Sequence, residues 1–454
     1  MAGNARSVPL LRDIARRSYA AQAATAAAPV SPRRDVQVET TVLPSKLVVA
    51  SVDNNSPVAR VSVAFKGGCR YETVHNLGAA HMLRIAGGLT NRNSSYFGLT
   101  RNLQQIGASL GTSGDRETVV YTVEGTRDNV EVALQYLADA ATKQVFKPWE
   151  LSDSLPRLRY ELATIPVEAR TLDLLHKAAF RTGLGNTLFC PKPLVGKHSS
   201  ETLQHYTRSL LTAGRTAVAA VGLPHGQLVA FAQNLGLDDG AGPASPTRYF
   251  GGEIRKEKLS DMAHVAVAAE GASLANQKEA LAFAVLRYAL GAGPATKWGS
   301  SVSPLYKAAA GASGSESFAV SALNVSYSDA GLFGFVASAP AEVAGKVVEA
   351  ALKQLRAGQA ADADVARGKA QLKAELLYAL ESGHGLLEDL VSQALLLGAV
   401  SGPAQLAAAV DAVSSADVAA VSFSPSTLVI PSISFSRLGR ELSQHLPRVN
   451  FGKP

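Results

Sequence analysis

The sequence contains little cysteine, with only Cys69 and Cys190 among 454 residues. These two lie far apart in the chain, so they form no metal-binding pair of the Cys-x-x-Cys kind, and a single pair makes no disulfide framework. Such sparse usage is typical of a reducing compartment. We therefore predict that both cysteines are small, buried hydrophobic residues.

Long apolar runs are also missing. The best candidate, residues 386–413, is interrupted by acids, glutamines and a proline, so nothing matches the roughly 18 apolar residues of a membrane-spanning helix.

Gly291-x-Gly293 with Lys297 superficially resembles a phosphate-binding loop. However, Thr296 replaces the glycine before the lysine and Trp298 replaces the hydroxyl residue after it. The pattern thus argues against a nucleotide-binding role.

Acidic residues are nearly absent from the first 34 positions, where six arginines face Asp13 alone. An arginine-rich, acid-poor segment without a long apolar centre is typical of a mitochondrial transit peptide. We predict that residues 1–19 are this peptide, with cleavage between Tyr19 and Ala20, and that residues 20–35 are a flexible lead-in. The alternative is a basic tail that binds nucleic acid or acidic lipid. Against it, no later basic cluster has interleaved aromatic residues.

The rest of the chain carries one pattern twice. Alternating residues at 47–52 and 59–65, with turn residues between them, predict a hairpin. A strand pair followed by an amphipathic helix is then predicted in each half, at residues 117–123 and 128–141 in the first, and at 318–336 and 341–355 in the second. Such a repeat predicts a duplicated α+β domain. We place the domains at residues 36–235 and 253–445, joined by a Gly/Pro/Ser-rich linker over 236–252.

The segment 76–85 has the frame of a zinc-peptidase helix. An inverted zincin places His-x-x-Glu-His on one helix, so that two imidazoles bind zinc while the glutamate activates water. Here only His81 remains, because Arg84 occupies the general-base position and Ile85 the second ligand position. Loss of a general base alone typically costs about 100-fold to 10,000-fold in rate. The sequence therefore predicts a chain without catalytic activity.

Three motifs together carry a resemblance to a known family: Asn76-Leu77-Gly78-x-x-His81, the preceding Gly67-Gly68-x-Arg70-Tyr71-Glu72, and Asn324-x-Ser326-Tyr327-Ser328-Asp329. With the duplicated halves, they resemble the pitrilysin-type family, which includes mitochondrial processing peptidase and the core proteins of ubiquinol-cytochrome c reductase. The resemblance covers essentially the whole chain after the transit peptide. It implies a fold of two similar α+β domains, each with a mixed sheet covered by helices on one side.

The family also implies a position for a third zinc ligand, which here falls on Glu161. One histidine and one glutamate give two ligands, whereas a catalytic zinc needs three protein ligands and an open position. Arg84 adds a positive charge where a dication would sit. We therefore expect no metal and no cofactor, with His81 packed in the helix and Glu161 paired with Arg84 or another nearby cation.

Among the family's members, the His-x-x-Arg-Ile form and the short segment 290–300 favour a non-catalytic core subunit of respiratory complex III. This implies a matrix-facing location at the inner membrane, a dimeric complex, and contacts with core protein 1, cytochrome b, cytochrome c1 and the iron-sulfur subunit. It further implies a cavity for a presequence peptide. Two alternatives are a non-catalytic presequence-recognising subunit of the processing peptidase and a zinc endopeptidase with unusual ligands.

Overall fold

A computed structural model describes residues 37–240, 242, 246–258, 260–293, 302–357, 360–421 and 429–435. The predicted transit peptide, its cleavage site between Tyr19 and Ala20, and the lead-in to residue 35 lie outside this range. So do residues 294–300 of the short segment that favoured a core subunit.

The first sheet has six strands in the order β1-β2-β6-β3-β5-β4. Its strands are β1 (Glu39–Val42), β2 (Val48–Val52), β3 (Val58–Phe65), β4 (Ser109–Gly114), β5 (Val119–Thr126) and β6 (Thr216–Val221). Strands β2 and β6 are parallel, and every other neighbouring pair is antiparallel.

The second sheet has five described strands in the order β7-β11-β8-β10-β9. These are β7 (Gly252–Lys258), β8 (Met262–Gly271), β9 (Ala319–Ser326), β10 (Gly331–Pro340) and β11 (Val429–Phe435). Here β7 and β11 are the parallel pair. Without β1, the first sheet has the same strand order and directions as the second, so the topology occurs twice as the sequence pattern predicts.

Helices lie in the longer connections between strands and after β10. In chain order they are α1 (Ala79–Ile85), α2 (Tyr96–Gln105), α3 (Val130–Thr142), α4 (Pro148–Asp153), α5 (Leu155–Thr164), α6 (Val167–Phe180), α7 (Ser200–Leu210), α8 (His225–Gln233), α9 (Gln277–Leu290), α10 (Pro304–Ser313), α11 (Ala341–Ala357), α12 (Asp362–Glu381), α13 (Gly383–Leu396), α14 (Pro403–Ala412) and α15 (Ser415–Ala420). The mixed sheets and their helices confirm the α+β fold class. No helix within the described residues is both long and apolar enough to cross a membrane.

One local prediction is wrong. Residues 47–52 and 59–65 are strands, but β2 and β3 are not a hairpin, because β6 lies between them. Val49 pairs with Val218, and Val63 pairs with Val218 from the other side. The turn at 53–57 reverses the chain and leaves room for one strand. Every residue of β6 is buried, as expected for a central strand with both faces covered.

Each sheet is covered on its second face by a helix from the other half of the chain. The C-terminal-half helix α13 packs on the first sheet, with its apolar side against alanines and valines of β2, β3 and β6. Reciprocally, the N-terminal-half helix α6 packs on the second sheet against β8 and β10. We call this arrangement the helix exchange. The faces it covers are rich in alanine, and small side chains let a helix approach the sheet closely.

The helix exchange contains a buried histidine. His176 of α6 is 4% exposed, and Tyr327 at the end of β9 is hydrogen-bonded to its Nε2 at 2.8 Å. Its Nδ1 lies 2.7 Å from the Leu172 carbonyl oxygen, so Nδ1–H donates there and Nε2 accepts from the tyrosine hydroxyl. Burial, with Arg116 nearby, lowers the pKa of His176 to about 3. The neutral imidazole therefore links the two halves.

Acidification is expected to weaken this link. His176 has a lowered pKa in the folded state, so its contribution is complete above the unfolded value near 6.5 and is lost as pH falls toward 3. We expect the free energy of unfolding to fall by about 1.4 kcal/mol per pH unit from this group across that window. Denaturant titrations of wild type and His176→Gln from pH 7.5 to 4.5 measure it. The variant should show the shallower pH dependence, and equal slopes would contradict the assignment.

Candidate functional site

The helix that carries the zincin frame is held at its N-terminus by Glu72. The carboxylate of Glu72 accepts hydrogen bonds from the backbone N–H of Gly78 at 2.9 Å and of Ala80 at 2.8 Å. Gly78 has φ +88°, and a Cβ there would lie 2.9 Å from Cys190. Glu72 thus caps α1, and Gly78 allows the turn that leads into it. These two residues belong to the two motifs of the first half.

His81, Arg84 and Glu161 come together as the sequence predicts. Nη2 of Arg84 donates to Oε2 of Glu161, in α5, at 2.5 Å. Nε2 of His81 lies 3.4 Å from the same oxygen. Arg157, one turn earlier on α5, approaches the other carboxylate oxygen at 3.4 Å. The expected pairing of Glu161 with a nearby cation is confirmed, and that cation is Arg84. Two guanidinium groups therefore contact Glu161, the residue at the position where the resemblance implies a third zinc ligand.

The tautomer of His81 follows from its surroundings. The backbone N–H of Cys190 donates to Nδ1 of His81 at 3.0 Å, so Nε2 carries the proton and faces Glu161. Burial lowers the pKa of His81, and the positive charge of Arg84 lowers it further. Burial alone would raise the pKa of Glu161, but the hydrogen bond and charge of Arg84 outweigh burial and lower it. A neutral imidazole thus lies beside an ionised carboxylate.

This arrangement does not suit a catalytic zinc. A metal at this point would need Nε2 of His81 deprotonated and the Glu161 carboxylate released from Arg84. Ile85, at the second-ligand position, is 2% exposed and belongs to the hydrophobic core. Within the part of the chain that the structure describes, no three His, Cys, Asp or Glu side chains are grouped to hold a metal ion.

Both cysteines are buried and free, as predicted. Burial raises the pKa of Cys69 to about 12 and that of Cys190 to about 11, so both remain thiols at neutral pH. A thiol in that state is a poor nucleophile. Cys190 contributes to the site through its backbone N–H to His81.

A second polar cluster joins the two halves, and sequence reasoning gave no role to its members. Arg70 is 6% exposed, and its Nη1 donates to Glu117 at 2.6 Å and to Asp329 at 2.8 Å, while Nη2 reaches the other Asp329 oxygen at 2.5 Å. Ser328 donates its backbone N–H to Glu117 at 3.0 Å, and Thr247 donates its own to Asp329 at 2.9 Å. We call these five residues the latch.

The latch gives a physical reason for two of the motifs. Arg70 precedes α1 in the first half, whereas Ser328 and Asp329 form the turn between β9 and β10 in the second half. A buried guanidinium that meets two carboxylates from different parts of the chain fixes their relative position. The only sequence signal for it was a charged residue in each of two turn motifs, which does not reveal that they meet.

The open edge of the first sheet lies beside the zincin frame. Strand β4 is at the end of its sheet, and no described residue forms a backbone hydrogen bond with its outer edge. A cavity of about 300 Å³ between β4 and α1 is lined by residues that include His81, Arg84, Thr112 and Phe189. An unpaired, uncharged edge strand can accept an extended peptide by strand addition.

Comparison with protein families places the chain in one of them. Residues 48–192 match the family described as insulinase (peptidase family M16), and residues 197–372 match the M16 inactive domain. The chain belongs to the M16 peptidase family. It is a non-catalytic member, since Arg84 replaces the general base and the second half matches the inactive domain.

Several curated proteins are similar over most of the chain. Cytochrome b-c1 complex subunit 2 of Homo sapiens is 38% identical over 403 residues, which is 87% of this chain and 88% of the relative. The Mus musculus protein of the same name is 37% identical over 402 residues, with the same two shares. The probable mitochondrial-processing peptidase subunit alpha-1 of Arabidopsis thaliana is 28% identical over 395 residues, covering 84% of this chain and 78% of the relative.

Proposed function

We propose that this chain is the second core subunit of the mitochondrial cytochrome b-c1 complex, respiratory complex III, where it acts as a structural subunit needed for assembly and stability. The observation that carries the proposal is the His81–Arg84–Glu161 cluster. In this peptidase-like site, Arg84 neutralises the Glu161 carboxylate that would otherwise be available to a zinc ion. The similarity to subunit 2 of that complex in two mammals supports it. No electron-carrying group is required of such a subunit.

The proposed location is the matrix side of the inner membrane. The arginine-rich residues 1–19 support import into mitochondria, and the absence of a spanning helix among the described residues is compatible with a peripheral subunit. The proposed partners are core protein 1, cytochrome b, cytochrome c1 and the iron-sulfur subunit, within a dimeric complex.

We further propose two domains, at 36–235 and 253–445 with a linker at 236–252. Apart from Gly252, the first residue of β7, the strands of the two sheets fall within those ranges.

A peptide-binding role accompanies the structural one. The open edge of β4 and the cavity beside His81 can hold an extended presequence peptide without cleaving it, because position 84 offers no base. The second candidate function uses the same surface: a presequence-recognising subunit of the processing peptidase. The 28% identity to such a subunit favours this alternative less than the 38% identity favours complex III.

Membership of the complex is tested by isolation from native membranes. Detergent-solubilised mitochondrial inner membranes, separated by native electrophoresis, should give this chain co-migrating with cytochromes b and c1. Its recovery only in the soluble matrix fraction, bound to a catalytic processing-peptidase subunit, would establish the alternative instead.

A further inference from the structure

The second sheet has an edge equivalent to the open edge of the first sheet, and this equivalent edge is covered. Strand β9 holds the position equivalent to β4. The backbone N–H of Ala322 in β9 donates to the Gly291 carbonyl at 2.8 Å, and Nε of Arg287 donates to the Ala322 carbonyl at 3.3 Å. Thus β9 is capped at its middle, whereas no described residue caps β4. Of these two repeated edges, the one beside His81 is the one left open.

A second cavity lies on the opposite face of the same strand. It has a volume of about 320 Å³ and is bounded by the end of β4 and by α13, the helix that the other half contributes. Its lining includes the hydroxyl residues Ser62, Thr118 and Thr122 and the ionisable residues Asp115, His384 and Glu388. Ser113, Gly114 and Asp115 line both cavities, so the end of β4 separates them.

The two cavities differ in charge. The guanidinium of Arg84 lines the first and the carboxylate of Glu388 lines the second, while Asp115 borders both. Glu388 is paired with His384 at 3.4 Å, but both side chains are 66% exposed and so can turn toward a ligand. Arg60, which lies beside Gly383 at the start of α13, is already bound to Glu124 at 2.6 Å. The second cavity is therefore complementary to a cation.

We propose that this second cavity, the α13 subsite, binds a basic side chain of a peptide that adds to β4. Successive residues of a strand point to opposite faces of the sheet. A peptide on β4 therefore places one side chain in the cavity beside His81 and the next in the α13 subsite. The peptide chemistry that fits is an apolar residue directly next to an arginine or lysine, since the first cavity also contacts Leu188 and Phe189. This inference rests on the peptide-binding part of the proposed function.

The test uses the purified full-length chain and fluorescent heptapeptides of serine, threonine and glycine that carry one leucine and one arginine. Adjacent leucine and arginine can occupy both cavities at once, whereas the same residues separated by one position face the same side. We expect tighter binding of the adjacent pair, and about threefold weaker binding when arginine is replaced by its neutral isostere citrulline. Equal affinities of the arginine and citrulline peptides would overturn the proposal.

Variants locate the effect on α13. Glu388→Gln should weaken the arginine peptide about threefold, and Glu388→Gln with Asp115→Asn about tenfold, with the citrulline peptide unchanged. Glu349→Gln, on α11 away from the cavity, removes the same charge from an exposed helix position and should have no effect. Equal losses in Glu388→Gln and Glu349→Gln would overturn the subsite.

The backbone contact is tested separately. A peptide that is N-methylated at every residue has no N–H group to donate to β4 and should not bind. Unchanged binding of that peptide, or no binding of any peptide, would overturn the subsite while leaving membership of complex III, judged by co-migration, untouched.

Discussion

The double substitution Arg84→Glu with Ile85→His is expected to make the chain bind one zinc ion, whereas we expect the wild-type chain to bind none. It removes the guanidinium from Glu161 and supplies a second imidazole one helical turn from His81, so three protein ligands converge as a catalytic zinc requires. Zinc content after gel filtration measures the gain. Because Ile85 is buried in the core, the variant should also be less stable without metal, and zinc should raise its melting temperature.

Single substitutions serve as the controls for this gain. Arg84→Glu alone gives a free carboxylate but only two of the three ligands, and Ile85→His alone leaves Arg84 bound to Glu161. Neither should retain stoichiometric zinc. The description of the site would be contradicted if the wild-type protein contained zinc and cleaved a presequence peptide, and if a chelator removed both the zinc and the cleavage.

Arg70→Met is expected to destabilise the protein by about 3–5 kcal/mol. The substitution leaves Glu117 buried beside Asp329 without the guanidinium that neutralises both carboxylates. Methionine keeps much of the arginine's volume, so the loss measures charge and hydrogen bonding more than a cavity. Urea titration of the full-length chain at neutral pH provides the free energy of unfolding.

The matched control is Arg127→Met. Arg127 makes the same two-point contact with Asp53, at 2.8 Å for each pair of atoms, but both side chains are 31% exposed. Such a pair contributes at most about 1 kcal/mol. A loss at Arg70 no larger than that at Arg127 would show that the latch does not hold the halves together.

The predictions that came from periodicity and from the motif were the reliable ones. The strand pair at 318–336 and the helix at 341–355 are confirmed by β9, β10 and α11, because alternation and the helical repeat are local properties of the chain. The pairing of Arg84 with Glu161 was reached through the family's spacing, not through composition. The cysteines were predicted correctly because an isolated cysteine is usually a core residue.

Long-range neighbours were not accessible in the same way. The hairpin at 47–65 was wrong because local turn residues cannot reveal that β6, more than 150 residues later, inserts between the strands. The latch could not be predicted for the same reason. In the sequence, Arg70 and Asp329 are each a charged residue in a turn, and only the fold shows that they meet. The sequence around His176 does not reveal its partner, and only the fold shows that Tyr327 faces it.

The helix exchange constrains how the duplicated chain could have arisen. A single copy of the repeat would leave one face of its sheet bare, since the helix that covers it belongs to the other copy. Alone, such a unit would expose an alanine- and valine-lined surface that a second unit could cover by lending its own helix. Two separate chains would then have formed a swapped dimer, and joining their genes would have turned that dimer into one polypeptide.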